Sequence, residues 1–357
     1  MKKFDWLILF LAIFLSFISL FTLYHLSFGW RDFSFFYKQT FFLITGIGLA
    51  IFFSYLNIRA LKKSPYFIFF LYFISLILLV GLFFFAPVIR GTKAWYTLGG
   101  FTFGPVEIVK IVFLLFFAKY FSQRHVEMYQ AKHIILSGIY AFIPTALVFF
   151  QPDFGSAMIL LIIWFFMMLI SGIKRKHILI IFTLGIICFF ILWFFLLKPY
   201  QKERFLAFLN PYLDPGGSGY HIIQSIIAIG SGGFWGKGFT EPLTQAKLGF
   251  LPISHTDFIF ASFFEMAGLL GASVLFLFLG LFLWRVLKLA KDSQDNFSRL
   301  LISGFVVLVG AEIFINLAMN LGILPITGIS FPFLSYGGSG LLSLFIGIGI
   351  IESMVKV

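Results

Sequence analysis

The chain has 357 residues, of which 61% are hydrophobic and only 11% charged, with a mean hydropathy of +1.03. A soluble domain has too little interior to hide that much apolar surface, which excludes an ordinary soluble enzyme. The single cysteine, Cys188, lies inside an apolar run, which excludes a disulfide framework and a thiolate metal site.

The apolar runs are long rather than alternating, and many approach the twenty or so residues needed to cross a bilayer. In chain order they predict about ten spans, at 5–25, 39–57, 66–86, 105–121, 134–151, 154–172, 177–197, 258–284, 300–320 and 337–354. All are read as helices, because an open sheet would leave backbone groups unpaired in hydrocarbon. The first run is too long for a signal peptide and lacks a small-residue cleavage site, so it is expected to be retained. The fold class is therefore all-α, a polytopic integral membrane protein. One domain over 1–357 is expected, with a long structured loop between the seventh and eighth helices.

Positive charge alternates between the short loops. Lys2 and Lys3 precede the first span, and Arg59, Lys62 and Lys63 follow the second. Arg124 and Lys132 follow the fourth, and Lys174, Arg175 and Lys176 follow the sixth. Arg285, Lys288 and Lys291 follow the eighth, and Lys356 ends the chain. The positive-inside rule then puts both termini in the cytoplasm and the protein in the cytoplasmic (inner) membrane. It also accounts for most of the net charge of +12, which is no argument for nucleic acid.

The longest connection, 198–256, falls on the external side. It opens with the basic and aromatic segment Tyr200–Leu209, suited to the membrane interface, and breaks at the turn-rich Asp214–Gly219. Tyr220–Ile229 is apolar but too short to span, which reads as a re-entrant or interfacial helix. Long structured loops tend to carry function.

Four stretches place ionisable or polar groups at the external boundary. The first holds Arg90 and Lys93, then Glu107 and Lys110, which share a helix face at three-residue spacing. The second is Gln151-Pro-Asp153. The third is His255-Thr256-Asp257, with Glu265 two turns deeper. The fourth is 331–339, with Ser335 and Ser339, preceded by Glu312, Asn316 and Asn320. An intramembrane charge costs at least about 2.5–3.5 kcal/mol, which invites a functional reading. The alternatives are a neutral Glu107–Lys110 pair, helix caps at Asp153 and Asp257, snorkelling anchors at Arg90 and Lys93, and a loop histidine at His255. These residues alone describe a polar external cavity and leave a transporter and a membrane enzyme nearly tied.

Several runs resemble the SEDS family of cell-wall polymerases: 151–156 (QPDFGS), 219–225 (GYHIIQS), 229–233 (IGSGG), 247–261 (KLGFLPISHTDFIFA) and 322–339 (GILPITGISFPFLSYGGS). The resemblance covers the whole chain in order. The short N-terminal tail and the wording around Thr244-Gln245 and 248–250 resemble RodA-type elongation members more than FtsW-type division members. Departures fall at Gly104-Pro-Val, Ile226, Ile253 and Met266, where the family usually carries other residues.

The resemblance implies peptidoglycan glycosyltransfer, extending glycan strands from lipid II at the outer face of the membrane, in cell elongation and shape maintenance. An α-linked donor on a polyprenyl diphosphate and a β-1,4 product make the transfer inverting. One carboxylate then suffices, as base for the acceptor hydroxyl, and Asp257 is the expected base. Arg90 and Lys93, or a bound divalent cation such as Mg or Mn, are expected to hold the diphosphate, with no other cofactor evident. Glu107 and Lys110 are expected to shape the cavity wall, with Asp153, His255, Thr256, Glu265, Ser335 and Ser339 around it. The implied partner is a class B penicillin-binding protein (a transpeptidase). The Gly-rich last span, with Gly337, Gly338, Gly340, Gly347 and Gly349, is expected to offer it a close-packing face. A lipid II flippase or a non-catalytic scaffold are the alternative functions.

Overall fold

The computed structural model describes residues 4–56, 64–89, 91–98, 101–124, 130–196, 199–217 and 219–355. Its long helices fall where the apolar runs predict them. They are α1 (Trp6–Trp30), α2 (Ser34–Tyr55), α3 (Pro65–Phe85), α4 (Pro105–Arg124), α5 (Ala131–Phe150), α6 (Phe154–Ile170) and α7 (Arg175–Ile191). Two short helices follow, α8 (Pro199–Leu209) and α9 (Tyr220–Gly232), and then α10 (Ile259–Asp292), α11 (Asn296–Asn320) and α12 (Gly338–Val355). A two-stranded antiparallel hairpin, Tyr96–Leu98 with Phe101–Phe103, sits between α3 and α4 and was not expected. Local chemistry fixes several starts. Asp5 and Asp295 accept hydrogen bonds from Leu7 N–H (3.2 Å) and Ser298 N–H (3.0 Å), and Pro65 opens α3.

Among the described residues, seven helical spans are long and apolar enough to cross a membrane: α1, α2, α3, α5, α10, α11, and α7 with its helical continuation to Phe195; α6 and α12 are apolar but shorter. This is a multi-pass membrane protein. Helix α4 differs because it carries Glu107, Lys110, Lys119 and Arg124. It can do so because it runs through the centre, packed against α3, α6, α11 and α12, and buries residues on every face. Lipid-facing helices show the reverse pattern: Phe69, Phe70, Phe73 and Phe84 of α3 are exposed. Buried hydroxyls in the helices return to their own backbone, as Ser16 to Ala12 O (2.8 Å) and Ser27 to Leu23 O (2.8 Å).

The start of α1 and the end of α12 lie at one end of the bundle. Asp5 accepts from Arg285 Nη2 at 2.6 Å, and its N–H donates to Glu352 Oε2 at 3.0 Å, tying α1, α10 and α12 together. Of the charges used for orientation, Lys2, Lys3, Arg59, Lys62, Lys63 and Lys356 lie outside the described residues.

The last helix corrects an expectation. A Cβ on Gly347 would meet Phe305 and Ile111, and one on Gly349 would meet Ala50 and Phe53. These glycines let α12 approach α2, α4 and α11 closely, so they do not present a face to a partner span.

Helix α10 is broken at Gly268, whose φ of 65° is left-handed. The break has a hydrogen-bonding logic. The carbonyls of Glu265 and Met266 accept from Lys237 and Gly238 N–H (2.9 and 3.0 Å), and Leu269 and Leu270 N–H donate to Gly233 and Phe234 O (3.0 and 3.1 Å). Segment 233–238 thus replaces two helical bonds, and every backbone group involved stays paired. The two segments approach so closely that a Cβ on Gly268 would enter the backbone of Gly236, and one on Gly236 the backbone of Met266 and Ala267.

Candidate active site

At the end of the bundle opposite the start of α1, four connections meet. Trp30 Nε1 donates to Ala246 O (3.2 Å), Lys93 N–H to Gln151 O (3.3 Å), Gly104 N–H to Ser339 Oγ (2.9 Å) and Tyr336 N–H to His255 O (2.8 Å). They surround a cavity of 1840 Å³ whose wall includes Glu107, Lys110, Asp153, His255, Thr256, Asp257, Ser335 and Ser339. Eight of the sequence-derived residues are therefore brought to one cavity.

Asp257 sits in the turn that leads into α10. Ile253, at φ 54°, tightens that turn, and its carbonyl accepts from Thr256 and Phe258 N–H (3.1 and 3.4 Å). The Asp257 carbonyl accepts from Asn316 Nδ2 and Asn320 Nδ2, both at 3.0 Å. Both asparagines are fully buried, and they bond to each other (2.9 Å). Ser335 Oγ donates to Thr256 O (2.6 Å) and accepts from Phe331 N–H (2.7 Å). The candidate carboxylate thus sits on a turn whose backbone, at Asp257 and at Thr256, is held from two other parts of the chain.

The capping alternative resolves differently at the two aspartates. The cap position of α10 falls on Phe258, which has no side-chain acceptor; Asn320 Oδ1 instead accepts from Ala261 N–H at 3.2 Å. Asp153 does cap α6, accepting from Ser156 N–H at 3.0 Å, while also facing the cavity.

Deeper in the wall, Lys110 Nζ bridges Glu107 Oε1 (2.9 Å) and Glu312 Oε1 (2.7 Å). The pair expected on one helix is a triad across two. Lys110 and Glu312 are buried, and Glu107 keeps partial exposure toward the cavity. His255 stacks on Phe35, with ring centroids 4.3 Å apart.

Two expected site residues stand apart from the cavity. Glu265 is buried away from the cavity, where it accepts from Lys237 Nζ (2.7 Å), Gln245 N–H (2.9 Å) and Ser231 Oγ (3.3 Å). It fastens the loop to the upper part of α10 instead of meeting a ligand. Lys93 donates from Nζ to Phe83 O at 3.1 Å, whereas its neighbours Thr92 and Ala94 reach the cavity. Arg90 lies outside the described residues. Sequence reading missed Lys38, Glu203 and His221, which line the cavity, and singled out Glu312 without its partner. Among the described residues, no three His, Cys, Asp or Glu side chains converge to hold a metal ion.

A family model for the FtsW, RodA and SpoVE cell cycle proteins matches residues 2–356. The chain belongs to this family. The peptidoglycan glycosyltransferase MrdB of Escherichia coli K12 is 40% identical over 291 residues, covering 82% of this chain and 77% of that protein. Stage V sporulation protein E of Bacillus subtilis is 31% identical over 364 residues, covering 99% and 97%. Among solved structures, a chain from a peptidoglycan synthase complex, studied for the coordination of polymerization and crosslinking, matches at TM-score 0.83. It is 31% identical, with 99% and 98% of the two chains covered. The rod shape determining protein RodA of Thermus thermophilus matches at TM-score 0.70 and 27% identity, covering 99% and 96%. The family resemblance in the motifs and the membrane-protein fold are both borne out.

Proposed function

We propose that this chain is a peptidoglycan glycosyltransferase that extends glycan strands from lipid II at the outer face of the cytoplasmic membrane. The observation that carries the reading is Asp257, held by its backbone in the wall of a large cavity, in a chain whose relatives include named peptidoglycan glycosyltransferases. Likeness to the rod shape determining protein RodA supports a role in elongation and cell shape.

In this mechanism the acceptor 4-hydroxyl oxygen bonds to the donor anomeric carbon from the face opposite the diphosphate. The bond from that carbon to the diphosphate oxygen breaks, and its electron pair leaves with the polyprenyl diphosphate. Asp257 takes the hydroxyl proton as general base. The diphosphate is a good leaving group once its charge is balanced, so a second carboxylate acting as acid is unnecessary. Phe142 and Phe149 of α5 and Phe182 and Phe189 of α7 give the cavity an apolar flank suited to prenyl chains.

The external placement of the site is supported by Lys174 and by Arg175 and Lys176 in the first turn of α7, which fall at the end of the bundle away from the cavity. The likeness to a chain of a polymerizing and crosslinking complex supports a class B penicillin-binding protein as partner.

The deciding experiment supplies purified chain with lipid II, alone and with such a transpeptidase, and scores glycan polymer. Asp257→Asn keeps size and most hydrogen bonding but is a far weaker proton acceptor. Polymer formation should fall about 10²–10⁴-fold while lipid II binding and protein level persist. Wild-type polymer from Asp257→Asn would remove the catalytic assignment and leave a flippase or scaffold as the better account.

A further inference from the structure

We propose that Lys38 is the side chain that receives the diphosphate of the polyprenyl-linked donor. The inference rests on the glycosyltransfer reading above and assigns within it a role that the sequence had given to Arg90 and Lys93.

The charge inventory of the cavity motivates it. Among its described lining residues, the carboxylates Glu107, Asp153, Glu203, Asp257 and Glu312 face two lysines, Lys38 and Lys110. Lys110 is 3% exposed and donates to both Glu107 and Glu312, so its charge is already compensated. Lys93 spends its ammonium on the Phe83 carbonyl. A diphosphate entering this acidic space needs a cation, and Lys38 is exposed on the wall with no ion pair to a described residue. Its acidic neighbour Asp32 feels the Lys38 charge without forming an ion pair to it, and accepts from Ser34 N–H (2.8 Å) and Ser34 Oγ (3.0 Å).

Position supports the same assignment. Phe35, Lys38 and Phe42 follow the i, i+3, i+7 spacing of one helical face, and all three line the cavity. That face of α2 is clamped to the loops that carry the site. Gln39 Nε2 donates to Ser335 O and Gln39 Oε1 accepts from Gly337 N–H, both at 3.2 Å, while Phe35 stacks on His255, two residues before Asp257. Lys38 lies little more than one turn into α2, near the end of the bundle, where a membrane-anchored diphosphate would sit. A lysine is a compact, strongly hydrated charge on a flexible stem, and a phosphate oxygen can meet it without a fixed fork.

The test uses the full chain in nanodiscs with two probes, undecaprenyl diphosphate and undecaprenyl monophosphate, and reads apparent Kd. Lys38→Ala should weaken diphosphate binding by about 10- to 100-fold, the range for hydrogen bonds to charged groups. The monophosphate should lose less, and Lys38→Arg should restore most of the affinity. Diphosphate binding by Lys38→Ala should also depend less on salt than wild-type binding does. Lys38→Ala that binds diphosphate like wild type, or a larger loss from Lys93→Ala, would overturn this assignment while a polymerising wild type keeps the functional reading. A wild type that neither polymerises lipid II nor binds the diphosphate would remove both.

Discussion

Replacing Lys110 by methionine keeps the apolar stem and removes the ammonium that lies 2.9 Å from Glu107 and 2.7 Å from Glu312. The triad then holds two carboxylates and no cation. Taking one partner from a buried ion pair costs about 3–5 kcal/mol, because the other charge is left uncompensated. The side chains of Lys110 and Glu312 are 4% and 6% exposed and that of Glu107 is 23% exposed, so cavity water can rehydrate Glu107 far better. Most of the loss should therefore fall on Glu312. The double variant Lys110→Met/Glu312→Gln removes that charge as well, and it should recover about 2 kcal/mol, within the coupling measured between residues of one network. The assay is the denaturation midpoint of purified protein in detergent, for wild type, both single variants and the double variant. A Lys110→Met loss below about 1 kcal/mol, or a double variant no more stable than Lys110→Met, would refute the argument that Lys110 neutralises a buried carboxylate.

Two further outcomes are expected. Asn320→Leu removes a donor to the Asp257 carbonyl and the acceptor for Ala261 N–H, so it should lower stability by about 1–3 kcal/mol. Asn320→Asp keeps that acceptor but loses the donor, and its glycan polymerisation should slow about tenfold with lipid II binding retained; an unchanged kcat would show that the carbonyl contact does not position Asp257. Cysteines placed at 214–217 should react with a membrane-impermeant maleimide from outside intact cells, and cysteines at 172–176 should not. The reverse labelling would move the cavity to the cytoplasmic face.

Helix number and order were legible in the sequence because crossing a bilayer is a local requirement: some twenty apolar residues with every backbone group paired internally. The turn residues around Asp153, Asp257 and Ser335–Ser339 were equally legible, since polar groups beside a span are costly wherever the span packs. Partnership was not. Lys110 and Glu312 are 202 residues apart, and nothing in either segment says which carboxylate completes the triad. Glu265 looks like a cavity acid along the chain, but the break at Gly268 and the inserted segment 233–238 turn it toward Lys237. Lys38 was set outside the second span, because hydropathy marks where a helix becomes apolar, whereas α2 begins at Ser34 and carries Lys38 on its cavity face. Gly347 and Gly349 have one spacing whether they meet a partner or a neighbouring helix, and close packing inside the bundle made the choice. A bilayer sets the length and polarity of each helix from its own residues; which faces meet depends on residues elsewhere in the chain.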